Sequence, residues 1–192
     1  GEPGPRSSFN VVTKFGTSGK LYNNNLVMYD RLTDTYWAQT TGQAIIGPLT
    51  GLTLKQVVID TIQWKDWKKL NPDTKILSRD TGFIRDYERD PYGSYYTDTS
   101  IYFSVENKDN RLHPKAIIYG INLNGKYKAY PDDKLEKGIS LEDKFNNVNL
   151  LISKDNFGRV RFINKDTNEE IIPIISFWFS WAAFHPDTEL YQ

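Results

Sequence analysis

One eleven-residue word occurs twice in this chain. Trp64-Lys-Asp-Trp67-Lys-Lys-Leu70-Asn71-Pro72-Asp73-Thr74 is matched by Trp178-Phe-Ser-Trp181-Ala-Ala-Phe184-His185-Pro186-Asp187-Thr188. The two copies hold four of the five tryptophans. A repeat of this kind points to an internal duplication and so limits the architectures open to the chain. In each copy the bulky residues stand three apart, which predicts a short helix with one aromatic face. The residue before a proline is pushed out of the helical region, so each helix should end at Asn71 or His185. Asp and Thr after the proline suit a tight turn. Tryptophans on one helical face are expected in the core.

The flanks add strand signals. Phe9 to Phe15, Leu26 to Arg31, Tyr36 to Thr40, Gln43 to Ile46 and Leu52 to Ile62 read as strands of an antiparallel meander, with a turn at Thr33-Asp34. Short strands are expected after each helix, at Lys75 to Leu77 and Glu189 to Tyr191. Asn124-Gly125 between Ala116–Leu123 and Lys126–Tyr130 is a strong hairpin signal. Asp132 to Lys137 reads as a helical turn. Val148–Ser153 and Arg159–Asn164 form a second hairpin about Asn156-Phe-Gly158. The predicted fold is therefore α+β and β-rich: antiparallel hairpins and a meander, with two short Trp-bearing helices from an internal duplication. Residues 1–8 read as a flexible arm. Residues 9–192 read as one domain of two pseudo-repeated lobes, about 9–77 and 112–192, joined by a polar-aromatic segment over 78–111.

The duplication extends upstream. Tyr29-Asp-Arg-Leu-Thr33-Asp-Thr-Tyr-Trp37 aligns with Ile163-Asn-Lys-Asp-Thr167-Asn-Glu-Glu-Ile171. The second copy then lacks a counterpart of about Gln43 to Ile59. The first copy lacks a counterpart of the Asn124-Gly125 hairpin, which would have to lie before Gly1. The plain explanation of that asymmetry is lopsided divergence; the sharper expectation is the tail of a longer protein, with Gly1 a processed terminus, an expression boundary or a fragment edge.

Composition narrows the function classes. Lys+Arg and Asp+Glu balance at 24 each, so no global field holds nucleic acid or an anionic membrane. With no cysteine, the chain has neither disulfides nor thiol chemistry of its own. No apolar run approaches the roughly 20 residues of a membrane span. The histidines, His113 and His185, read as loop and helix-end partners. No metal site and no cofactor is expected. Asn107-Lys-Asp-Asn110, Asp155-Asn156 and Asp166-Thr-Asn168-Glu-Glu170 lack calcium-loop spacing and read as turns. Gly16-Thr-Ser-Gly19 reads as a glycine-dependent turn.

Several words together resemble a known family. They are Phe15-Gly-Thr-Ser-Gly19-Lys-Leu, Leu26-Val-Met-Tyr-Asp-Arg31, Gly42-Gln-Ala-Ile-Ile-Gly-Pro-Leu-Thr-Gly51, Leu77-Ser-Arg-Asp-Thr-Gly-Phe83, Arg89-Asp-Pro-Tyr92, Ala129-Tyr-Pro131 and Phe177 to Thr188. The chain is similar, over nearly its whole length, to the uncharacterised domain of unknown function 3179 family. That resemblance implies an upstream half with its own Ala-Tyr-Pro hairpin and a cysteine-containing segment, neither present here. It also implies a cell-envelope or extracellular setting.

The most unusual segment is 79–96. Arginine forks at Arg79, Arg85 and Arg89 suit carboxylate or phosphate groups, and the faces of Tyr87, Tyr92 and Tyr95 suit sugar rings. Asp80, Asp86 and Asp90 are the catalytic candidates, since paired carboxylates can do acid–base work. The plainer reading is an ion-pair and hydrogen-bond network that pins a long irregular loop. The residues favour a non-catalytic binding or scaffold module, part of a larger assembly, and the resemblance implies that it works in the cell envelope or outside the cell. Its partner would be another protein chain or the missing upstream half. The alternative is an enzyme acting on a sugar or anionic substrate through residues 79–96. A third reading is the remnant of a metal or redox protein whose cysteines lie upstream.

Overall fold

The computed structural model describes residues 12–192. The described residues divide into two compact units, 12–56 and 57–192. The chain is β-rich, with two short helices. The boundary lies ahead of the first Trp-bearing helix, so both copies of the helix belong to the second unit. The arm expected over residues 1–8 and the start of the strand expected at 9–15 lie outside the described residues.

In the first unit, β1 (Phe15–Tyr22), β2 (Asn25–Asp30), β3 (Tyr36–Ala38) and β4 (Gln43–Ile46) form an antiparallel meander in chain order. Its first strand begins at Phe15; residues 12–14 are in no strand. Asn23 and Asn24 make the first turn, both left-handed, as a tight twisted hairpin requires. Gly16–Gly19 is not a turn between elements but part of β1. The register slips between Thr17 and Lys20, and Gly19 takes a φ of 73°, which bulges the strand. Val27, Trp37, Ala38 and Ala44 are buried. Asp30 is buried with them. Its carboxylate accepts from Trp37 Nε1 (3.0 Å), Thr33 N (2.7 Å), Leu32 N (3.1 Å) and Thr33 Oγ1 (2.8 Å). Burial pushes its pKa up, but these donors outweigh it and hold the pKa below the usual carboxylate range.

The second unit contains α1 (Trp64–Leu70), β5 (Ile117–Leu123), β6 (Lys126–Pro131), β7 (Ile139–Phe145), β8 (Val148–Lys154), β9 (Val160–Asn164), β10 (Glu170–Ile171), β11 (Ile174–Phe177), α2 (Trp178–Phe184) and β12 (Glu189–Leu190). One sheet runs β10-β9-β8-β7 and the other β11-β5-β6-β12. The predicted Asn124-Gly125 hairpin forms β5–β6, and the two turn residues have φ of 52° and 79°. The expected helical turn is a 3-10 turn over Asp132–Lys134.

The β5–β6 hairpin is buried on both faces. Tyr119, Ile121 and Tyr130 pack with Leu150, Ile152 and Phe162 of the meander. Ile118 and Ala129 point the other way and pack with Trp178, Trp181 and Ala182 of α2. The strand between Ile139 and Phe145 escapes sequence reading because Asp143 interrupts its apolar alternation. That carboxylate is paired: Lys128 Nζ lies 2.6 Å away and the Tyr130 hydroxyl donates to it at 2.7 Å.

Two expected strands are corrected. Of Leu52–Ile62, only Thr53 forms a bridge, to Gln43, and no strand follows it. Lys75–Leu77 is in no strand either. An alternating pattern proposes a strand, but a strand exists only when an edge pairs with it. The upstream alignment also needs correction. The turns after Asp30 and Asn164 do share hydrogen bonds: Asp34 N donates to Asp30 O at 3.0 Å and Asn168 N to Asn164 O at 2.7 Å. Yet one links the second and third strands of its meander, the other the third and fourth. The likeness there is one of turn chemistry.

Among the glycines of the second unit, Gly120 is the most tightly covered. A Cβ there would lie 2.4 Å from the ring of Trp181. We expect Gly120→Ala to cost roughly 1–3 kcal/mol through this overlap. Urea denaturation should show it as a lowered midpoint at unchanged slope.

Candidate functional site

The two Trp words fold alike and differ in what covers them. Each makes a seven-residue helix. Asn71 and His185 end them with nearly the same backbone, φ/ψ of −136°/72° and −134°/70°. In each, the second indole donates to the threonine seven residues on: Trp67 Nε1 to Thr74 Oγ1 at 3.0 Å, Trp181 Nε1 to Thr188 Oγ1 at 2.9 Å. Trp178 and Trp181 are 0% exposed. Trp64, Trp67 and Leu70 are 46%, 38% and 37% exposed. The core position expected of both copies therefore holds for the second only. α2 lies on a complete sheet, whereas among the described residues no strand pairs beside α1.

The 79–96 segment is an exposed, irregular stretch closed by a 3-10 turn at Gly93–Tyr96. Arg79 pairs with Glu88 at 2.6 Å, a partner that sequence reading did not name. Arg85 lies over the ring of Phe83 at 5.8 Å. The Tyr87 hydroxyl is 2.6 Å from Thr81 Oγ1. Asp86 and Asp90 accept backbone N–H groups two residues on, Glu88 N at 3.1 Å and Tyr92 N at 2.9 Å. Asp80 and Arg89 are exposed. What the fold does gather is the aromatic set. Tyr92 lies 6.3 Å from Tyr95 and 6.2 Å from Tyr96, and Tyr95 stacks on Tyr102 at 4.3 Å. Burial, with Asp90 beside it, raises the Tyr96 pKa.

Lys115 anchors this set. It is buried, its ammonium lies 4.1 Å over the Tyr95 ring, and it donates to the carbonyls of Asp98 (2.7 Å) and Ser100. Burial lowers its pKa, since desolvation disfavours the charged form. Beyond it the chain forms a groove of about 600 Å³, whose lining includes Ile101, Val105, Asn107, Arg111, His113 and Phe179. The groove is tied to α2. Trp178 Nε1 donates to Asp109 O at 3.0 Å, Arg111 Nη2 to Thr188 O at 3.0 Å, and the Arg111 guanidinium lies 5.2 Å over Trp178. Sequence reading took residues 107–110 only as a turn and missed the groove. Its residues become neighbours through α2, some 70 positions away.

A family model described as "Protein of unknown function (DUF3179)" matches residues 6–171. The chain belongs to the DUF3179 family. No curated protein and no solved structure matches it. The span matched to DUF3179 takes in the four strands of the first unit, α1 and the aromatic segment, and ends before α2. No helix among the described residues of this DUF3179 chain is long and apolar enough to cross a membrane.

His185 is the C-cap of α2, the helix-end position expected of it. Its ring is buried as an aromatic, stacked 3.9 Å from Tyr127, with Nε2 unpartnered. His113 does serve its loop: Nδ1 accepts from Lys115 N at 3.1 Å. Burial pushes the His185 pKa down to about 4. The unfolded ring titrates near 6.5, so the unfolded state binds more protons between the two values. Stability tied to neutral His185 is then present above pH 6.5 and is lost as pH falls toward 4, by up to about 3 kcal/mol. His185→Asn, the residue found at 71, should flatten the pH dependence of the urea midpoint across that window. An unchanged slope would refute the assignment.

Proposed function

We propose that this chain is a non-catalytic binding or scaffold module that works in a larger assembly at the cell envelope or outside the cell. The observation that carries the reading is the contrast between the two Trp words. The same helix is sealed in the core at residues 178–184 and left open at 64–70. The open copy is followed by a run of exposed apolar side chains that includes Ile76, Leu77, Phe83, Ile84, Tyr92 and Phe103. Large apolar surface of this kind marks interaction sites. The balance of charge supports a protein partner over nucleic acid. The envelope setting rests on the family resemblance. We also take α1 and α2 as products of one duplication, supported by their matched cap angles and indole–threonine bonds.

The test is hydroxyl-radical footprinting of the protein in its source cells against the purified chain, with cell fractionation alongside. Trp64, Phe83 and Tyr92 should label strongly in the purified chain and several-fold less in the native setting. Equal labelling in both would remove the proposed contact surface. Recovery in the cytoplasmic fraction would remove the envelope setting.

The tyrosine cluster favours one second reading, an enzyme acting on a sugar or anionic substrate. Tyr92, Tyr95 and Tyr96 present rings beside Asp90, whose carboxylate orders the turn at Tyr92. On that reading Asp80, Asp86 or Asp90 would supply the acid–base group. A glycan panel should then yield a ligand whose binding is lost in Tyr92→Ala and whose turnover is lost in Asp90→Asn. Binding without turnover would leave the segment a recognition site only.

A further inference from the structure

Lys128 and Asp143 meet across the two sheets of the second unit. β6 belongs to one sheet and β7 to the other. Side chains two apart share a face of a strand, so Lys128 and Tyr130 lie together on β6, and Asp143 and Phe145 on β7. Lys128 is 8% exposed, and an amine is rarely buried so deeply without a partner. The rings of Tyr130, Phe145 and Tyr191 surround its ammonium at 5.5, 5.7 and 5.7 Å.

The contacts of the Asp143 carboxylate are divided by atom. Oδ2 takes Lys128 Nζ at 2.6 Å and the Tyr130 hydroxyl at 2.7 Å. Oδ1 accepts the Lys144 N–H at 2.8 Å. Amide formation needs this set: an amine against the carboxyl group, an acid at the oxygen that departs and an N–H at the oxygen that gains charge. Burial pushes the Asp143 pKa up, but the bonds from Lys128 and Tyr130 outweigh it and hold the pKa below the usual range, so the pair rests as ions. Two ions in a ring-walled site carry a desolvation cost. Condensation removes both charges and returns one water to solvent. The fold holds the two groups in contact, which raises their effective concentration by orders of magnitude.

We propose that Lys128 and Asp143 condense to an isopeptide bond that staples the two sheets of the second unit together. The ammonium first passes a proton to Oδ2 across their contact. The Nζ lone pair then adds to Cγ, and Oδ1 takes the charge beside the Lys144 N–H. The Tyr130 hydroxyl gives its proton to Oδ2 and recovers one from nitrogen. The Cγ–Oδ2 bond breaks as the Oδ1 carbonyl reforms, and Oδ2 leaves as water. Of the three ammonium hydrogens, two end on that water and one on the new amide. Nothing is oxidised or reduced. In a chain without cysteine this bond supplies the cross-link that a disulfide would. It concerns the frame of the second unit and stands whether or not the contact surface proposed above is used.

Tryptic mapping of the folded 192-residue protein tests it. Residues 127–134 and 138–144 should appear as one joined species, one water lighter than their sum, with no cleavage after Lys128. Lys128→Arg and Asp143→Ala should each leave the two segments unjoined. Followed after cell-free synthesis, joining should be roughly a hundredfold slower in Tyr130→Phe than in the unaltered chain. An equal rate would overturn the role given to Tyr130. Three results would each overturn the bond itself. One is unjoined segments in the folded, unaltered chain. Another is a join from Lys128 to Glu189, its neighbour on β12. The third is a water lost within residues 138–144 alone, the mark of a ring closed between Asp143 and Lys144. The deciding measurement is on the unaltered chain, so misfolding of a variant does not bear on it.

Discussion

The second unit depends on how closely Trp181 approaches the backbone at Gly120. A full-sized side chain on that strand would hold the helix off the sheet. With glycine there, the indole lies flat on the hairpin while its N–H reaches Thr188. That one contact sets the height of α2 above β5. The height in turn lets the chain enter as β11 on one side and leave as β12 on the other. Burial of two whole indoles supplies the apolar energy, and the threonine hydroxyl removes the cost of a buried N–H without a partner.

The paired Trp words separate local from tertiary causes. The helix length, the cap angles before proline and the indole–threonine bond are the same in both copies, although one is sealed and the other open. Those features are written in the eleven residues themselves. Burial is not. It comes from the sheet that α2 meets. A short helix with little help from propensity usually gains from such packing, and α1 keeps the same local geometry with its aromatic face exposed.

What was legible in the sequence follows the same division. The Asn124-Gly125 hairpin, β4 at Gln43–Ile46 and the ends of both helices were readable because turn chemistry and proline act within a few residues. Leu52–Ile62 and Lys75–Leu77 were misread because a strand's existence is settled by its neighbour. β7 went unseen because Asp143 sits where an apolar residue was expected, and its partner Lys128 lies 15 positions upstream. In the 79–96 segment the residue types were noted, but Arg79 pairs with Glu88, not with any of the flagged aspartates. The groove at residues 99–114 depends on contacts with α2 and left no periodic trace in the sequence.

The strand order β11-β5-β6-β12 also bears on how the molecule is made. The two central strands are synthesised first, and the two that flank them come more than 40 residues later. During elongation the β5–β6 hairpin can settle on the β7–β10 meander as soon as that has emerged. Its opposite face, Ile118 and Ala129, stays wet until the residues through Leu190 are made. A ribosome-bound intermediate would thus carry an open apolar sheet with two free edges, the state most exposed to chaperones and to mispairing between nascent chains.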